Sequence, residues 1–75
     1  MVRAFVLVNS ETGFEKENLE TIKSQSNVKE AFRVYDAYDL IVLVEEQDET
    51  QLKEAIFHRI RKLKRIKATL TLPFG

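Results

Sequence analysis

The sequence predicts an α+β fold of six elements in the order β-α-β-β-α-β. Three observations lead there. The segments Val2–Asn9 and Leu40–Val44 are apolar on both residue parities, as strands covered on both faces are. Leu52, Ala55, Ile56, Ile60 and Leu63 recur at helical spacing. The chain also divides into halves of about 36 residues, each reading strand–helix–strand. Right-handed crossovers put strands 1 and 3 side by side, and parallel, in the centre of the sheet. The class is ferredoxin-like βαββαβ, an antiparallel sheet overall, of order 4-1-3-2.

In chain order, Val2, Ala4, Val6 and Val8 form one side of the first strand, and Phe5 and Leu7 the other. Ser10–Gly13 is a turn. Thr12 with Glu15 fits a capping box, so a helix starts near Gly13 or Phe14. Its stripe is thin: Leu19 and Ile22, with Phe14 as a third candidate. It ends around Ser24–Ser26, with Asn27 as a left-handed stop. The second strand is Val28–Tyr35, with Val28, Phe32 and Val34 on its apolar side, half exposed at a sheet edge. Asp36-Ala37 makes a tight turn into the third strand, where Leu40, Val42 and Val44 oppose Ile41 and Leu43. Asp48 caps a second helix, with Gln51 at the capping-box position, and the helix runs to about Lys64. Glu49 and Glu54 early, and Arg59, Arg61, Lys62 and Lys64 late, complement its dipole. The fourth strand is Ile66–Leu72, with Ile66, Ala68, Leu70 and Leu72 inward, Lys67, Thr69 and Thr71 outward, and Pro73 as its stop.

At 75 residues the chain is one domain, spanning 1–75. A domain this small buries only roughly 60% of its unfolded surface, so association is an expected source of stability. Two helices cover one sheet face, while the other carries apolar side chains of both central strands. Two chains are therefore expected to pack sheet to sheet, as a dimeric α/β sandwich or barrel.

Composition excludes several chemistries. With no cysteine and one histidine, thiolate metal sites, thiol nucleophiles and histidine clusters have no support, and no cofactor or metal is expected. Twelve basic residues balance twelve acidic ones, unlike a general nucleic-acid binder. No apolar run approaches the roughly 20 residues of a membrane helix. Met1-Val2-Arg3 opens directly into a strand, so no signal peptide is expected and the compartment is cytoplasmic. The glycines, Gly13 and Gly75, form no phosphate loop, and Phe5 alone is too little for an RNA-binding sheet. The basic stretch Arg59–Lys67 reads as a solvated helix end rather than an anion patch, and His58 as a surface residue. Glu45 and Glu46, adjacent in a strand, point to opposite faces and do not chelate together.

The turn Tyr35-Asp36-Ala37-Tyr38-Asp39 stands out. It places tyrosines and aspartates between an edge and a central strand, as a capped hairpin or as the rim of a polar ligand site.

At this turn the sequence resembles a known family. Val28–Glu45 is similar to the "V-x-x-a-x-x-v-x-G-x-Y-D-h-x-h-x-h" core of the Lrp/AsnC effector domain, the RAM domain (regulation of amino-acid metabolism). Ile66–Thr71 resembles its "V-x-x-T-x-T" strand, and the likeness covers essentially the whole chain. Two departures stand out: Asp36 occupies the turn-glycine position, and Ser26-Asn27 replaces a glycine before strand 2. The resemblance implies a stand-alone RAM domain with no helix-turn-helix, hence no direct DNA reading. It implies sheet-to-sheet dimers assembling further into tetramers or octamers, amino-acid effectors bound between dimers, and full-length regulators of the family as partners. By motif it assigns Tyr38 and Asp39 to the ligand, with Asp36 and Ala37 in the same turn, and Thr69 and Thr71 in strand 4. The expected function is a non-enzymatic amino-acid-binding module of transcription regulation. The competing readings are a small dimeric αβ-barrel enzyme, with His58, Tyr35 and Tyr38 as its titratable candidates, and an ACT-like amino-acid module, which Ser10–Gly13 matches poorly.

Overall fold

The computed structural model describes residues 1–74. Strands β1 (Val2–Ser10), β2 (Val28–Arg33), β3 (Leu40–Glu46) and β4 (Ile66–Phe74) form one sheet of order β2-β3-β1-β4. Helices α1 (Glu15–Lys23) and α2 (Glu49–Ile56) cover one face, and α2 continues into a π-helical turn, Phe57–Arg61. This is the ferredoxin-like order read from the sequence. One detail differs: β1 and β3 pair antiparallel, not parallel. A helical crossover leaves β2 parallel to β1, and the β2–β3 hairpin then reverses β3.

The core lies between helices and sheet. Ala4, Val6 and Val8 of β1 and Leu40, Val42 and Val44 of β3 are fully buried, against Ile22 of α1 and Leu52, Ile56 and Ile60 beyond β3. Burying a side chain of this size is worth roughly 1.5–3 kcal/mol, so this layer supplies most of the driving force. The other residue parity of both central strands faces outward.

Several boundaries move. The first helix has no capping box at Thr12: its N-cap is Phe14, and the Glu15 carboxylate instead accepts the Gly13 N–H at 2.9 Å. It closes at Lys23, and Asn27 is not left-handed, since Gly13 alone among the described residues has a positive φ (93°). The Asp48 cap is present, with Oδ1 accepting the Gln51 N–H at 2.9 Å. The π-turn was not foreseen. Lys62 N–H reaches back to Phe57 O at 3.2 Å, and the loosened Arg59 carbonyl takes the Gln25 side-chain amide at 2.7 Å.

Both edge strands carry a bulge, and each reverses a parity read from the sequence. In β2, Val28 pairs with Val44 and Glu30 with Leu43, leaving Lys29 unpaired. Ala31 therefore turns inward while Phe32 faces outward, 46% exposed. In β4, Ile66 pairs with Ser10 and Ala68 with Asn9, leaving Lys67 unpaired. One extra residue swaps the faces beyond it. Leu70 and Leu72, expected inward, lie on the open face beside Leu7 and Phe5, while Thr69 and Thr71 lie on the helix side beside Val8 and Val6. Nor does Pro73 end β4. An edge strand tolerates a missing N–H, and pairing continues to Phe74 opposite Arg3.

Candidate functional site

The sheet face away from the helices is open and lined by apolar side chains. Its centre holds Phe5, Leu7, Ile41 and Leu43, and its flanks Phe32, Leu70 and Leu72. Leu70 and Leu72 are 44% and 46% exposed. Phe74 stacks on Phe5 with ring centroids 4.8 Å apart, and the Arg3 guanidinium lies 5.1 Å from the Phe74 ring centre. A contiguous apolar patch of this kind on a small domain marks an interaction surface.

At one end of that face sits the β2–β3 connection. It is wider than the expected two-residue turn: β2 ends at Arg33 and β3 starts at Leu40, with the Val34 N–H closing on the Asp39 carbonyl at 2.8 Å. Asp36, Ala37 and Tyr38 join Leu7, Val34 and Ile41 around a shallow hollow of about 240 Å³. Asp36 and Ala37 are exposed, and Tyr38 is half-buried. Tyr35 swings outward, 84% exposed, beneath the Arg33 guanidinium at 4.9 Å.

Asp39 differs from its neighbours. Its Oδ2 accepts the Ser10 N–H at 2.8 Å, standing in for a strand carbonyl where β3 has not yet begun. Its own N–H donates to the Val8 carbonyl at 2.9 Å. Ser10 Oγ meanwhile accepts the buried Asn18 side-chain amide at 2.7 Å, and the same amide reaches Arg65 O at 3.3 Å. Asp39 thus anchors the loop to a polar knot that joins β1, α1 and the start of β4. Asn18, buried on a helix with a thin apolar stripe, escaped the sequence reading; its signal was a lone amide on the inward face beside Ile22.

Thr69 and Thr71 lie apart from the loop, on the helix side of β4. They line a cavity of about 420 Å³ under α2 with Leu52, Ile56 and Phe57. Within one chain the two threonines and the loop 36–39 do not share a pocket. The basic stretch is largely self-engaged. Arg65 lies 4.5 Å over the Phe14 ring and pairs with Glu11 at 3.6 Å, and Lys62 sits 5.0 Å over Phe57. His58 packs edge-on against Phe57 at 5.2 Å. Among the described residues no three His, Cys, Asp or Glu side chains cluster as metal ligands, and no helix is long and apolar enough to cross a membrane.

The chain is thus a βαββαβ module with an open apolar sheet face and a polar loop at its rim. No family model matches the chain, and no curated protein matches it by sequence. Solved structures do. FFRP-DM1 is 40% identical, with full coverage of both chains and a TM-score of 0.96. The hypothetical protein PHS023 of Pyrococcus horikoshii is also 40% identical, over 100% of this chain and 90% of that one, with a TM-score of 0.94. The chain belongs to the Lrp/AsnC family, as its RAM domain. Two more distant structures share the fold. AsnC of E. coli is 20% identical, with 97% of this chain covering 50% of that one at a TM-score of 0.90. A Neisseria meningitidis transcriptional regulator, NMB0573, solved in complex with L-Met, is 10% identical; 99% of this chain covers 49% of it, with a TM-score of 0.86.

Proposed function

We propose that this chain is a non-enzymatic, oligomeric amino-acid-binding module that senses or modulates transcription regulation of the Lrp/AsnC type. The observation that carries the reading is the polar 36–39 loop at the rim of an exposed apolar sheet face, in a chain of this family. A structure of the same fold is a transcriptional regulator solved in complex with L-Met, which supports amino-acid effectors over catalysis. The sheet faces of two copies pack together, and further association builds larger rings.

The proposed effector residues are Asp36, Ala37, Tyr38 and Asp39 at the loop, with Thr69 and Thr71 on the helix side of β4. Asp36 offers an exposed carboxylate for an ammonium, and the loop offers backbone amides for a carboxylate. Asp39 holds the loop in place. Because the loop and the threonines lie on different faces, a ligand touching both sets is shared between copies, which links occupancy to assembly. The module is cytoplasmic, acts on full-length regulators of its family by co-assembly, and does not itself read DNA. The test is a thermal-shift screen of the twenty amino acids at millimolar concentration, with mass by light scattering in parallel. At least one is expected to raise Tm and shift the mass upward. No shift with any of them overturns the reading.

A further inference from the structure

We propose that the groove where the π-turn meets β4 binds a small nucleotide, with its phosphates on Arg61 and Lys67 and its base in the apolar hollow under α2. This goes beyond the amino-acid-binding reading and makes no use of the loop 36–39. The chain is neutral overall, but its charge is unevenly placed. All twelve acidic residues precede residue 55, whereas six of the twelve basic residues lie between 59 and 67. Of these six, Arg65 has an acidic partner, Glu11; Arg61 and Lys67 are in no ion pair among the described residues.

Two irregularities of the backbone bring those two cations together. Arg61 closes the π-turn, and Lys67 sits at the β4 bulge. With Ile66, Ala68 and Thr69 they line a polar hollow of about 230 Å³. Ile66, Lys67 and Ala68 are successive residues, which a regular strand would send to alternate faces; at the bulge all three border one hollow. Two cations beside a threonine hydroxyl, with no carboxylate lining the hollow, complement a phosphate dianion. The Arg61 guanidinium adds a planar fork that takes two phosphate oxygens at once.

Arg61 and Thr69 also line the larger cavity, of about 420 Å³, so the two hollows share a wall. That volume falls within the roughly 300–1,000 Å³ typical of small-molecule sites. Leu52 and Ile56 give the cavity an apolar floor, and Phe57, 43% exposed, gives it a ring against which a flat base can stack. Charge sets the direction of the ligand. Glu49 is the acid that lines the cavity, and it stands in the first turn of α2, at the opposite end from Arg61. That separation is roughly 18 Å at about 1.5 Å per helical residue. Phosphates are repelled from the Glu49 end and drawn to the π-turn. A phosphate alone fills only the small hollow, and a nucleoside alone leaves both cations unmet; a nucleotide spans the two.

The test titrates the full chain, labelled with ¹⁵N, with ADP, adenosine and inorganic phosphate in turn, read by calorimetry and amide chemical shifts at about 0.15 M salt, where diffuse charge attraction is weakened. ADP is expected to bind about tenfold or more tightly than either adenosine or phosphate, with shifted amides on α2, the π-turn and the start of β4. Arg61→Gln and Lys67→Gln each weaken ADP binding about fivefold or more and leave adenosine within about twofold. Phe57→Ala weakens ADP and adenosine alike. Lys64→Gln, in the same basic stretch but lining neither hollow, leaves ADP within about twofold, and the circular dichroism spectrum is unchanged in all four variants. ADP binding no tighter than phosphate, or no tighter than adenosine, overturns the two-part site. So does an equal loss in Lys64→Gln, which marks diffuse attraction, or a short single-stranded oligonucleotide binding more tightly than ADP, which marks a strand-binding surface. Absence of ADP binding overturns the proposal outright.

Discussion

Asp39 keeps one carboxylate oxygen on the Ser10 N–H, so its first contribution is to the folded state. Hydrogen bonds to charged groups contribute about 1.5–3 kcal/mol, and removing the acceptor leaves a half-buried N–H unsatisfied. Asp39→Ala is therefore expected to lower the unfolding free energy by that amount. Asp39→Asn, which keeps an acceptor oxygen, is expected to lose less than half as much. Urea denaturation of the three proteins checks this, and an Asp39→Ala protein as stable as its parent refutes the anchor. The Tyr38-Asp39 pair was visible as a motif, but its partner was not. Ser10 lies 29 residues away, and nothing local in the sequence marks its N–H as free. Asn18 was hidden for the same reason, since its partners are Ser10 and the carbonyl of Arg65.

Elements were more legible than single contacts. The strands, both helices and the strand order follow from periodicity and connection lengths, because each depends on residues near in sequence. The Asp48 cap is such a local feature. Asp48→Ala is expected to cost about 1 kcal/mol, within the usual span for a lost cap. That lowers Tm by roughly 4–8 °C for a domain of this size, measured by calorimetry. An unchanged Tm contradicts the cap. The faces of β2 and β4 were misread because parity along an edge strand is set by its partner's register. Alternation in Ile66–Leu72 looks the same whichever side Leu70 takes, and a bulge at Lys67 decides it. The π-turn is equally non-local, since its free Arg59 carbonyl is claimed by Gln25 of another segment.

At the scale of the whole molecule, the chain keeps one sheet face for its own core and leaves the other apolar and open. Leu72, 46% exposed and opposite Phe5, sits in that open face. The parent chain is expected to self-associate and Leu72→Glu to give a folded monomer, because a charge in a desolvated interface lacks a partner while the core is untouched. Light scattering at micromolar concentration, with circular dichroism, reads the outcome. A parent chain that is already monomeric, or a Leu72→Glu protein of unchanged mass, refutes packing through this face.

The bulged lysines have one more consequence, for what the protein does when crowded. Lys29 and Lys67 each interrupt an outer strand at the point where it loses its ladder partner, and Pro73 removes an N–H further along β4. A strand edge that is kinked, charged and short of donors is a poor template for another chain's backbone. Copies are thus steered away from endless edge-to-edge growth, and a chain with so much exposed hydrocarbon is protected from amyloid-like stacking at its two rims.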